Sequence, residues 1–294
     1  MLINTSLSKY LFAAFFFLGS LISAAENKEK SYFDCPCPHI IAHQGSSIEL
    51  PPNTIEAYQL ALDQGADIIE LDIWRAKDGT WVVIHDENLS RITGVDREVK
   101  DLNFEELQLL DAGYNFSDSN GNYLYRNKGY KIPLLEEVFI KFDTEKINIE
   151  IKGNSKTGLR DLVELIKKYK MDKKILVVSS SYKVIKEFRK ITEYKIATTA
   201  SKRDIKRMLY FNRFPGYAYN FNAFQLPYYS EKVKKYGMIN ENWISEMQGN
   251  DLVVHYWTID NSKDIEEAIA IGANGIITNK PKTVYDVLMK LGKR

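Results

Sequence analysis

Short apolar runs, most of them rich in β-branched residues, alternate along the chain with amphipathic stretches of about ten to fifteen residues. The strand-like runs cover residues 39–42, 68–73, 81–85, 147–152, 175–179, 195–199, 252–259 and 275–278. Helix-like pieces lie between them. One spans 53–63, starting on the N-cap candidate Asn53 and ending before Gly65. A second spans 159–169, with Leu159, Leu162, Val163 and Ile166 on one face, and a third spans 265–271, stopping at Gly272. Strand then helix, repeated, predicts an α/β protein with a parallel sheet, because parallel strands need crossovers that helices supply. Eight strands fit a (β/α)8 TIM barrel, with an open doubly wound sheet as the rival. A ninth run, residues 217–226, complicates the count: Tyr217, Tyr219 and Phe221 alternate with Ala218, Asn220 and Asn222, which is also strand-like. Between the third and fourth strands lies an inserted loop over 111–133, with Tyr114, Phe116, Tyr123, Tyr125 and Tyr130 set among Gly and Asn. On the barrel reading it belongs to the C-terminal face, either as a substrate cover or as decoration.

The chain starts differently. Residues 1–25 hold a single charge, Lys9, then an apolar run over 10–22 and the small residues Ser23, Ala24 and Ala25. This is the pattern of a secretory signal cleaved near Ala25. The run falls short of the roughly 20 residues that a spanning helix needs. The expectation is therefore a secreted or periplasmic protein with no stable membrane anchor. No Pro/Gly/Ser-rich linker divides residues 26–294, which read as one domain. The 40 basic and 39 acidic side chains give a net charge of +1, so no field steers the protein toward nucleic acid. Cys35 and Cys37, separated by Pro36, are the only two cysteines. They sit near the limit of disulfide geometry and acquire no role from the sequence.

Ionisable residues recur at strand ends, where burial is costly unless charges are paired or metal-bound. Glu70 and Asp72 are two apart, as are Glu150 and Lys152, and period two aims each pair at one face of its strand. His43 closes the first strand and His85 the third. In a parallel barrel all strand C-termini share one rim, so these six residues should converge there. Three carboxylates together call for a cation, and oxygen ligands without cysteine favour Mg2+ or Ca2+. Two histidines supply an acid and a base near neutral pH, and Lys152 suits an anionic phosphoryl group. The set describes metal-assisted attack on a phosphodiester. His255, near Trp257, reads as a packing histidine rather than a catalytic one.

At these residues the sequence resembles the glycerophosphodiester phosphodiesterase family, which has a TIM-barrel fold. The matching stretches include Ala42-His43-Gln44-Gly45, Pro52-Asn53-Thr54, Glu70-Leu71-Asp72, Asp78-Gly79, Val83-Ile84-His85-Asp86, Asn148-Ile149-Glu150-Ile151-Lys152, Trp257-Thr258 and Gly275-Ile276-Ile277-Thr278. The resemblance implies hydrolysis of glycerophosphodiesters to sn-glycerol 3-phosphate and an alcohol, with a small phosphodiester as the partner molecule. It implies Glu70, Asp72 and Glu150 as ligands of a divalent cation and His43 and His85 as the general acid/base pair. Lys152 would lie near the phosphate and Trp257 would line the pocket.

The chain also departs from the family pattern. Gln44 stands where the family usually has an Arg, so a charged bidentate phosphate contact is replaced by an amide. Pro52 replaces a Glu, and Ala76 a Thr. The family's Trp-Thr-Val-Asn ends here in Asp260, and its Ile-Thr-Asp ends in Asn279. If those strand ends are neighbours, the exchange preserves one acid and one amide. It also resembles the related sphingomyelinase D enzymes. Two other readings therefore remain: phospholipase D-like cleavage of lysophospholipid or sphingolipid headgroups, and a non-catalytic barrel that binds phosphorylated ligands.

Overall fold

Strand β1 (His39–His43) lies between β2 (Ile68–Arg75) and β9 (Gly275–Thr278), parallel to both. The computed structural model describes residues 31–34, 36–118, 120–211 and 218–294; the candidate signal over 1–25, Cys35 and Tyr217 lie outside them. From β2 the sheet continues through β4 (Lys146–Ile151), β5 (Ile175–Val178) and β6 (Ala197–Thr198). From β9 it continues through β8 (Val253–Trp257) to β7 (Ala223–Pro227). A parallel bridge between Thr199 and Ala223 joins the two ends, so eight parallel strands close into a TIM barrel.

Burial on both sides explains why the strands read as continuous apolar runs rather than alternating ones. Ile40, Ile41 and Ala42 are fully buried, as are Ile68, Ile69 and Leu71. Crossover helices cover the outside, and their apolar stripes complete the core. Leu159, Leu162, Val163 and Ile166 of helix Leu159–Lys168 pack with Ile147, Ile149 and Ile175 of the strands. Helix Ile55–Asp63 is capped by the Thr54 hydroxyl, which accepts from the Ala57 amide. Asn53, the cap expected from the sequence, is thereby released for another purpose.

Two expectations need correction. The run over 81–85 is not the third barrel strand. Its regular part, β3 (Trp81–Val83), folds back antiparallel on β2, pairing Trp81 with Arg75 and Val83 with Ile73. The eighth barrel strand is instead β7, which takes only the end of the ninth run; the alternating residues 218–222 precede it and form no strand. His85 consequently does not close a barrel strand. β2 extends beyond the rim, and the hairpin returns the chain to it: the Ile84 amide donates to the Asp72 carbonyl at 3.0 Å, and His85 follows.

The inserted loop, 111–133, builds a satellite core with the hairpin. Ala112 and Ile132 are buried there with Val82, Ile84, Leu89, Ile92 and the family-divergent Ala76. Arg126 stacks on Tyr114 and Tyr123, at 4.2 and 4.0 Å from their ring centroids. Among the described residues, no helix is long and apolar enough to cross a membrane.

Candidate active site

Register brings the acids together. Asp72 and Glu150 are partners across the β2–β4 ladder, and Glu70 is the partner of His43 across β1–β2. One ligand oxygen from each of Glu70, Asp72 and Glu150 can be chosen so that all three lie within 4.8 Å of one another. Glu70 and Asp72 are buried, whereas Glu150 is partly open.

Each acid is held. The Gln44 amide donates to Glu70 Oε2 at 2.9 Å. It reaches there because the chain turns sharply after β1: Gln44 and Gly45 have φ of 57° and 84°. A Cβ on Gly45 would fall 2.6 Å from the Ala57 carbonyl carbon, so only glycine lets this turn lie against the helix. Asn53, at φ 59°, donates from Nδ2 to Asp72 Oδ2 at 3.0 Å and accepts from the Tyr58 hydroxyl at 2.8 Å. Lys152 Nζ lies 2.9 Å from Asp72 Oδ1 and 2.8 Å from Glu150 Oε2.

The electrostatics follow from crowding. Burial and the adjacent Asp72 charge push the Glu70 carboxyl well above the ordinary carboxylate range, against the pull of the Gln44 amide. Burial draws the Lys152 ammonium down, but Asp72 and Glu150 outweigh it and the net shift is upward. One ammonium against three carboxylates leaves negative charge in excess. Asp72 Oδ1 is buried and meets the Lys152 ammonium at 2.9 Å, which leaves it a lone pair to spare. This oxygen-only donor set fits a hard divalent cation.

The two histidines are anchored differently. His85 Nδ1 lies 2.6 Å from Asp86 Oδ1, and Arg91 donates to the other Asp86 oxygen. Although partial burial opposes it, the Arg91 and His85 contacts hold the Asp86 carboxyl below its usual value. The Trp74 indole binds the His85 carbonyl at 2.9 Å, fixing the backbone. His43 Nδ1 faces an amide instead, Asn279 Oδ1 at 2.7 Å. The strand ends that carry the sequence exchange are indeed neighbours: Asn279 Nδ2 donates to Asp260 Oδ2 at 2.7 Å.

Of the remaining candidates, Trp257 ends β8 and is 43% exposed, while Gln44 is buried and its recorded site contact is the backbone amide on Glu70. His255 is fully buried inside the barrel, 3.3 Å from His39 Nδ1 and 3.4 Å from Gln225 Nε2. Cys37 Sγ lies 3.1 Å from His39 Nε2, away from the carboxylates in sequence and register. The sequence reading missed Asn53, Tyr58, Asp86 and Arg91 as supports. Asp86 stood in a quoted motif; its adjacency to His85 was the available signal.

A family model, the glycerophosphoryl diester phosphodiesterase family, matches residues 43–283. A glycerophosphodiester phosphodiesterase of Caldanaerobacter subterraneus subsp. tengcongensis is 32% identical over 265 residues, covering 86% of this chain and 98% of the relative. The human lysophospholipase D GDPD3 is 27% identical over 267 residues, covering 84% of each chain. An Oleispira antarctica phosphodiesterase, solved with the product sn-glycerol-3-phosphate, superposes with a TM-score of 0.68 at 22% identity, covering 86% of this chain and 97% of that one. With the barrel and the three-carboxylate cluster in place, the chain belongs to the glycerophosphodiester phosphodiesterase family and is a phosphoric diester hydrolase.

Proposed function

We propose that the protein hydrolyses glycerophosphodiesters to sn-glycerol 3-phosphate and an alcohol, using a divalent cation (Ca2+ or Mg2+) and the His43/His85 pair. The observation that carries this reading is the Glu70, Asp72 and Glu150 cluster, with ligand oxygens within 4.8 Å, on the rim where His43 ends β1 and the hairpin delivers His85. A cation held by those three carboxylates supplies neutralisation of the phosphoryl oxygens. Lys152, charged between Asp72 and Glu150, adds a second positive centre, and Gln44 and Trp257 border the same rim as candidate substrate contacts.

The protein's own groups manage the protons. One histidine takes the proton from the glycerol hydroxyl beside the phosphate as that oxygen bonds to phosphorus. The other protonates the alcohol oxygen as its bond to phosphorus breaks. Water then opens the cyclic phosphodiester with the two roles exchanged, releasing the phosphomonoester.

A second substrate class has its own support. Ile48, Tyr229 and Trp257, on the segments at the C-terminal ends of β1, β7 and β8, are 50%, 51% and 43% exposed. Apolar groups on that rim suit the acyl chain of a lysophospholipid, and the human relative bears the lysophospholipase D name. The test is to incubate the protein with glycerophosphocholine and, separately, lysophosphatidylcholine. Release of glycerol 3-phosphate from the first supports the main reading. Choline from the lysolipid alone moves the substrate to the second, and turnover of neither contradicts both. The run over residues 1–25 supports export, and mass spectrometry of the mature protein should find its N-terminus at Glu26.

A further inference from the structure

The hydrogen bonds behind His43 run in one direction. Asp260 is a carboxylate and can only accept. Its Oδ1 takes the Asn279 backbone amide at 2.8 Å and the Thr278 hydroxyl at 2.9 Å, and its Oδ2 lies 2.7 Å from the Asn279 side-chain nitrogen. Turning the Asn279 amide over would set two acceptor oxygens against each other at that distance. The amide is therefore locked with its NH2 toward Asp260 and its Oδ1 toward His43 and Ser47, whose hydroxyl donates at 2.9 Å. An amide oxygen cannot donate, so His43 Nδ1, at 2.7 Å from it, must carry the hydrogen.

We infer that Asp260 and Asn279 form a relay that locks His43 in the Nδ1–H tautomer, leaving the Nε2 lone pair for the substrate. They are positioning residues, and the inference rests on the acid/base reading of His43. It gives a physical meaning to the exchange at 260 and 279. The carboxylate is set one residue further from the imidazole, yet still dictates the tautomer by fixing the amide between them. His85 reaches the same tautomer by direct contact with Asp86. The two histidines thus present equivalent nitrogens through different supports.

The experiment is a long-range 1H–15N spectrum of 15N-histidine-labelled protein, tractable because the chain has four histidines. His43→Gln identifies the His43 signals. The expected result is a protonated Nδ1 and bare Nε2 at His43 in the parent. In Asp260→Asn the Asn279 backbone amide still needs the oxygen of residue 260, so the new NH2 faces Asn279 and turns its amide over; His43 should shift toward the Nε2–H tautomer and kcat should fall about 10²-fold with KM nearly constant, the low end of a positioned base's contribution. The double exchange Asp260→Asn/Asn279→Asp, which puts a carboxylate directly on Nδ1, should restore the tautomer and most of kcat. If Asp260→Asn does not fold, Asn279→Ala carries the same test, since it leaves Asp260 with its Thr278 and backbone donors. A parent His43 protonated on Nε2, or a tautomer and kcat unchanged in Asp260→Asn and Asn279→Ala, would overturn the relay. The expected tautomers in a protein that turns over no phosphodiester would leave the relay standing and refute the acid/base reading instead.

Discussion

Asn53 shows how much depends on one side chain. It donates to Asp72 Oδ2, accepts from Tyr58 and sits at φ 59°. Asn53→Ala removes a donor from Asp72, a buried carboxylate of the candidate cation site, and strands the Tyr58 hydroxyl. We expect cation affinity to fall by about tenfold or more and stability to fall by roughly 1–3 kcal/mol, measured by calorimetric titration and thermal unfolding. The sequence read Asn53 as a helix cap because a short polar residue before a helix suits that role. Thr54 takes the cap instead, and residue order alone could not decide between two adjacent candidates. The acids were more legible: period two in a strand leaves Glu70 and Asp72 little choice of face. A separate prediction concerns His255, whose burial, and then His39 beside it, hold its imidazole well below the ordinary value. The unfolded chain takes up that proton first. The stability contributed by neutral His255 is present above about pH 6.5 and is lost as pH falls toward the depressed value. Thermal unfolding across this window should show the decline, and His255→Gln should flatten it.

Among the elements, the β2–β3 hairpin was the one misread. The loop between Arg75 and Trp81 is too short for a crossover, which needs about a dozen residues or more, so β3 had to return antiparallel. The signal was present in Asp78-Gly79, a turn pair, but a short apolar run looks the same in either direction. Asp78 closes this hairpin, accepting from the Thr80 amide at 3.0 Å and hydroxyl at 2.7 Å, and ties it to helix Phe104–Gln108 through the Phe104 amide at 2.9 Å. Asp78→Ala should cost about 1 kcal/mol, as loss of a cap does. It should also speed amide exchange at Val83 and Ile84, the segment that carries His85 to the rim. Unchanged exchange there would show that the hairpin holds without the turn.

For the molecule as a whole, the barrel was legible from repetition of strand and helix, although the strand count held only because β7 replaced β3. What the order of residues could not convey was closure, which brings β1, β2, β4, β8 and β9 onto one rim and sets Asn53 against Asp72 and the Asp260–Asn279 pair behind His43. On the proposed function, three carboxylates of this rim hold a cation for phosphodiester hydrolysis. The most direct measurement is 31P NMR of glycerophosphocholine incubated with metal-stripped protein, then with Ca2+ or Mg2+ restored, for the parent and Glu70→Gln. We expect no turnover without metal, glycerol 3-phosphate on its return, and a Glu70→Gln variant that needs far more metal to reach the same rate. Full hydrolysis by the stripped protein, or a Glu70→Gln variant with the parent's metal dependence, would contradict the proposed function.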